Sequence, residues 1–100
     1  MSLKYRISKR ALQDLDEIWH YTFIKWSAKQ ADVYYKILIN EIELIAQYLH
    51  SEKSRDNIKE GYRSSSIKSH VIFYRISEEN AVEVIRILHQ MMDMESNLNA

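Results

Sequence analysis

The segment His70-Val71-Ile72-Phe73-Tyr74-Arg75-Ile76 decides the fold. It is rich in β-branched and aromatic residues and has no break, as expected of a central strand buried on both faces. Downstream, Ser77-Glu78-Glu79-Asn80 reads as a hairpin connection in which Asn80 can take a left-handed conformation. Ala81 to His89 is then the last strand, running into Gln90-Met91-Met92-Asp93 and a terminal turn of helix. Upstream, Lys68-Ser69 makes the turn into Tyr62-Arg63-Ser64-Ser65-Ser66-Ile67, preceded by Gly61, the single glycine of a chain without proline. A polar stretch, Ser51 to Lys59, separates these strands from the N-terminal half.

That half changes period. Leu3 to Ile7 alternates apolar and basic residues and predicts a short strand with one wet face. Ser8 stands where an N-cap belongs. From Lys9 to Trp26, Ala11, Leu12, Leu15, Ile18, Trp19, Thr22, Phe23 and Trp26 recur at spacings of three and four and fall within an arc of roughly 140° at ~100° per residue. Trp19 and Trp26 are expected in the core, although Trp26, at the tip, also suits an interface anchor. Ser27-Ala28-Lys29-Gln30 matches a capping box and starts a second helix at once, so the two helices must fold back as an antiparallel hairpin. The second helix, Ala28 to Leu49, carries one apolar stripe of Ala31, Tyr35, Leu38, Ile42, Ile45 and Leu49, and another of Val33, Ile37, Leu44 and Tyr48. Either it is wedged between its hairpin partner and the sheet, or part of the second stripe is a groove for a partner's amphipathic helix. The expected architecture is α+β, in the order β-α-α-β-β-β, with a helical hairpin on one face of a small, mostly antiparallel sheet.

The 100 residues predict a single domain over 1–100. Hydrophobic residues make up 46% and charged residues 28%, the balance of a globular chain. Fourteen basic residues balance fourteen acidic ones, so direct high-affinity binding to nucleic acid through a basic excess is not expected. The lack of cysteine excludes disulfides, thiolate catalysis and cysteine zinc sites. No apolar run reaches the ~18 residues of a membrane span and the start has no signal-peptide core, which predicts a cytoplasmic protein with no membrane partner. His20, His50, His70 and His89 show no metal-ligand spacing, and neither a metal nor any other cofactor is expected. Asp14, Asp16, Glu17, Glu41 and Glu43 are expected on wet helix faces. Arg63, Lys68 and Arg75 make the stretch from Gly61 to Ile76 locally basic, either as solvated edge charges or as a surface for an acidic partner.

Gly61-Tyr62-Arg63, His70-Val71-Ile72-Phe73-Tyr74 and Arg86-Ile87-Leu88-His89-Gln90-Met91-Met92-Asp93, in that order, closely resemble the ParE toxins of bacterial toxin–antitoxin modules, within the wider RelE/ParE superfamily. The strand and helical-hairpin order agrees, so the resemblance covers nearly the whole chain. It implies a toxin that inhibits DNA gyrase by binding, neutralised by a ParD-type antitoxin. Relatives in the RelE branch instead cut messenger RNA on the ribosome, which needs a base, cations for the phosphorane charge and an acid. Here Ser64-Ser65-Ser66 stands where that branch has lysines, and Val71 near the place of an arginine. Arg63, Arg86 and His89 remain, and a period of two sends Arg86 and His89 to opposite faces, which weighs against a nuclease and leaves no catalytic residue assigned. A family member that only binds antitoxin and is not toxic is the third reading.

The target-binding candidates are Arg63, Arg86, His89, Gln90, Met91, Met92 and Asp93, with Arg63 beside the end of the last strand. Met91, Met92 and Met94 form a flexible apolar cluster that either fills a core gap or repacks against a partner. The antitoxin-binding candidates are Val33, Ile37, Leu44 and Tyr48 on the second stripe, with Trp26 at the tip. Such an apolar surface favours a homodimer or a hetero-oligomer with the antitoxin.

Overall fold

The computed structural model describes residues 5–48, 53–54 and 61–91. Strand β1 (Tyr5–Ile7) leads into helices α1 (Lys9–Lys25) and α2 (Ala28–Gln47), followed by β2 (Lys53–Ser54), β3 (Arg63–Ile67), β4 (His70–Ile76) and β5 (Val82–His89). The sheet runs β1-β5-β4-β3-β2, with β1 parallel to β5 and every other pair antiparallel. This is the expected α+β order with one addition, the two-residue β2, which lies in the polar stretch where composition gave no strand signal. The expected terminal turn of helix, Met92, Asp93 and Met94, Leu49 of the first stripe and His50 lie outside the described residues.

The caps act as read. Ser8 Oγ accepts the Ala11 N–H at 3.0 Å and Ser27 Oγ accepts the Gln30 N–H at 3.1 Å. Ser8 also joins the layers: its N–H donates to Val84 O and its hydroxyl to Ile85 O, each at 3.0 Å. Ser8→Ala should therefore cost about 1–2 kcal/mol, the upper part of the range for a lost N-cap, read as a lower urea midpoint with unchanged slope. Asn80 takes the left-handed conformation expected of it, with φ 59°.

Strand β4 is the buried centre. Ile72 and Tyr74 join Val82, Val84 and Ile87 of β5 beneath Ala11 and Leu15 of α1 and Leu38, Ile42 and Ile45 of α2. Val71 and Phe73 face the other way and meet Tyr62 and Leu88 in a smaller cluster. The first apolar arc is only partly right. Ala11 and Leu15 are buried, whereas Leu12, Phe23 and Trp26 are exposed, and Trp19 is half-buried with its indole N–H on Asp32 at 3.0 Å. The narrower buried face of α1 includes Asp14.

Candidate functional site

β1 ends at Ile7, opposite Val84, so among the described residues the outer edge of β5 beyond that point has no strand beside it. Helix α1 takes the place of one. Asp14 Oδ2 accepts the Ile87 backbone N–H at 2.9 Å and Arg86 Nε at 2.8 Å, while Oδ1 accepts an Arg86 terminal N–H at 3.1 Å. The side chains of Asp14 and Arg86 are 5% and 8% exposed. Solvation of Asp14 is thus corrected: it is a buried acceptor that closes a sheet edge and holds a guanidinium in bidentate geometry. Glu41 is also not simply solvated, since it accepts the Ser65 hydroxyl.

Arg86 and His89 leave opposite faces of β5 as the period of two predicts, since the ladder between them is unbroken, but the expectation that they do not converge is corrected, because both line one cleft. Phe73 faces Arg86 but Tyr74 faces Val84, so Ile85 is an extra residue in the ladder. Such a bulge resets the alternation and re-aims side chains. Val84, Ile87 and His89 consequently share the helix side, and Arg86 turns to Asp14. Arg86 and His89 line one cleft of about 440 Å³ between α1 and the β4–β5 end, with Arg10, Glu17 and His70. Arg63 is not beside them. It lies on β3, two strands from β5 and opposite Tyr74, four rows along the sheet from the His70 and His89 pair.

His70 and His89 face each other in register, their rings edge-to-face with centroids 5.4 Å apart. His70 Nδ1 meets the Tyr34 hydroxyl at 2.7 Å, and His89 Nδ1 accepts the Met91 N–H at 3.1 Å. Burial and then the facing His89 pull the His70 pKa down to about 4, with Asp14 opposing them. Burial likewise raises Tyr34, against the Ser69 N–H bond. Gln90 and Met91 are exposed beyond β5. Among the described residues, no group of three or more His, Asp or Glu is placed to hold a metal ion.

The second stripe of α2 is largely uncovered. Val33, Leu44 and Tyr48 are exposed and Ile37 is half-buried, so of the two readings the wedged helix does not hold for this stripe. Trp26, 69% exposed, extends the surface to the hairpin tip. The basic stretch is partly neutralised, since Arg75 pairs with Glu83 at 3.0 Å, which also holds Arg6.

Residues 5–94 match the model of the ParE toxin of type II toxin–antitoxin system, parDE. The chain belongs to the ParE toxin family. It is 39% identical over 98 residues to Toxin ParE1 of Mycobacterium tuberculosis, covering 98% of this chain and all of that one. It is 42% identical over 94 residues to Toxin ParE1 of Caulobacter vibrioides, covering 94% and 96%. The fold is similar to that in the chromosomal ParDE toxin–antitoxin system from P. aeruginosa, with TM-score 0.77 and 15% identity over 87% of this chain and 95% of that chain. It is also similar to that in the toxin–antitoxin complex RelBE2 from M. tuberculosis, with TM-score 0.55 and 16% identity over 90% and 100%. No helix among the described residues is long and apolar enough to cross a membrane.

Against this ParE-family background, reading the residues singly missed Asp14, Tyr34 and His70. Asp14 had a signal, because it lies three residues after Ala11 and four before Ile18, inside the buried arc. The facing of His70 and His89 had none until the β4–β5 register was known. Their pairing predicts acid sensitivity. An unfolded His70 takes a proton below its ordinary pKa of 6.5, whereas the folded chain does so only near 4. Stability present above pH 6.5 is therefore lost as pH falls through 4, by about 1–2 kcal/mol once solvent screening of this partly exposed ring is counted. Urea midpoints at pH 7.5 and 4.5 should differ less in His70→Asn than in the parent by that amount.

Proposed function

We propose that this ParE-family chain is the toxin of its module, acts on DNA gyrase in the cytoplasm by binding and not by turnover, and is neutralised by a ParD-type antitoxin. The observation that carries the reading is the family match, which runs from β1 past the end of β5. The toxic contact is made by His89 at the end of β5 together with Gln90, Met91, Met92 and Asp93. Arg86 supports that end from beneath through Asp14, and Arg63 contributes from β3 at a distance. The antitoxin lays an amphipathic helix on Trp26, Val33, Ile37, Leu44 and Tyr48, with an extended segment against the sheet. Stabilising the covalent gyrase–DNA intermediate blocks replication.

One observation bears on the ribonuclease alternative. Arg86, His89 and His70 do share a cleft, but Arg86 is already engaged by Asp14 and His70 resists protonation, so neither of these two stands ready to serve a phosphorane as cation or acid. Purified gyrase decides. The expected result is lost supercoiling and accumulated cleaved DNA on adding the toxin. Untouched supercoiling together with messenger RNA cut on ribosomes would overturn the reading in favour of the nuclease. Neither effect, with no growth defect on expression without antitoxin, would overturn it in favour of a non-toxic binder.

A further inference from the structure

The hydrogen bonds around the two cleft histidines occupy Nδ1 of each ring and leave Nε2 to face outward. A backbone N–H can only donate, so His89 Nδ1, which receives the Met91 N–H, carries a lone pair. The proton of neutral His89 is then on Nε2. The Tyr34 oxygen receives the Ser69 N–H at 3.4 Å and lies 2.7 Å from His70 Nδ1; with the Tyr34 hydroxyl as the donor of that bond, the His70 proton is on Nε2 as well. Among the described residues neither Nε2 has a partner, and no buried side-chain nitrogen or oxygen there lacks one, so both N–H groups open onto the cleft.

Two donors lining one cleft, on rings with centroids 5.4 Å apart, suit a two-oxygen acceptor. We infer that the cleft between α1 and the β4–β5 end is a carboxylate subsite, in which the Nε2–H groups of His70 and His89 hold the acidic side chain of a bound protein. A metal ion fits poorly, because a ligating imidazole normally donates its other N–H outward, and His89 Nδ1 is instead an acceptor. The charges facing the pair select a single anion over a polyanion. Asp14 is neutralised by Arg86, Arg10 stands on α1 to meet an incoming oxygen, and Glu17 on the same helix repels a second negative group. Ile18, Tyr21 and Ile87 give the methylene stem an apolar wall. The carboxylate also offsets the burial and the facing His89 that together hold the His70 pKa down at about 4 in the free protein. Binding is therefore coupled to proton uptake and strengthens as pH falls.

This subsite stands independently of the gyrase reading and is tested without gyrase. The full chain, with labelled histidines, is titrated by NMR with N-acetyl-glutamate amide, its neutral isostere N-acetyl-glutamine amide, inorganic phosphate and a short oligouridine. The glutamate probe is expected to shift the His70 and His89 ring signals saturably and to bind about tenfold more tightly at pH 5.5 than at pH 7. The glutamine probe should leave them unmoved. Imidazole nitrogen shifts of the free protein should report Nε2–H for both rings. His70→Asn should weaken the glutamate probe about tenfold. His89→Asn serves the same purpose should the first variant fold poorly. Equal shifts from both amides, no saturation at the solubility limit, or unchanged binding in the folded variant would overturn the subsite. Tighter binding of phosphate or oligouridine than of the glutamate probe would overturn the choice of carboxylate and assign the cleft to phosphate.

Discussion

Asp14→Ala is expected to lower the unfolding free energy by about 3–5 kcal/mol, the cost of breaking a buried ion pair from one side. The substitution removes the carboxylate that holds the buried Arg86 guanidinium in bidentate geometry and takes the acceptor from the Ile87 N–H, at a strand edge that no other strand covers among the described residues. Against a total stability of roughly 5–15 kcal/mol for a domain of this size, that is a large share. Most of the loss comes from keeping the Arg86 cation buried without its carboxylate and not from the missing attraction. Asp14→Leu combined with Arg86→Met should therefore recover most of it, leaving the Ile87 N–H as the residual penalty of about 1–3 kcal/mol. Asp16→Ala, two residues away on the exposed face, should change stability by less than about 0.5 kcal/mol. Urea denaturation of the four proteins closes the cycle. Equal losses in the single and double variants would show that the ion pair itself, and not the uncompensated cation, holds α1 to β5.

Local chemistry made much of this fold legible. Ser8, Ser27 and Asn80 announce two helix starts and a hairpin because each satisfies or tolerates a backbone requirement within three residues of itself. His70 to Ile76 reads as central because a strand covered on both faces needs apolar groups on both. The illegible parts depend on partners far along the chain. Asp14 meets Arg86 across 72 positions, and general helix rules send a carboxylate to water. The extra residue Ile85 leaves no mark in the composition of β5, yet it puts Val84 and Ile87 on the same side, and it is Asp14 on α1 that draws Arg86 toward the cleft lined by His89. The apolar wheel of α1 suggested a broad buried arc, but with the helix set beside the edge of β5 only the side carrying Ala11, Asp14 and Leu15 is covered. That same placement leaves Trp26 and much of the hairpin surface in contact with solvent, so composition alone could not tell core from interface.

The hairpin surface carries the second large effect. Leu44→Asp and Val33→Asp should each weaken antitoxin binding by about 2–4 kcal/mol, or roughly 30- to 1,000-fold, because each would bury an unpaired carboxylate in an apolar contact. Trp26→Ala should lose a comparable amount through truncation of an anchor 69% exposed in the free chain. The stripe from Val33 to Tyr48 runs along most of α2, a 20-residue helix roughly 30 Å long, which matches an amphipathic partner helix laid lengthwise. Since these side chains are exposed before binding, folding stability should move by no more than about 0.5 kcal/mol, separating loss of contact from loss of structure. The aspartate variants should also self-associate less than the parent, as an exposed apolar stripe drives association when no partner covers it. Calorimetry with the antitoxin, beside sedimentation of the free chain, reads both effects. Unchanged affinity in all three variants would move the antitoxin off the hairpin and onto the sheet, where backbone pairing along a strand edge is insensitive to α2 side chains.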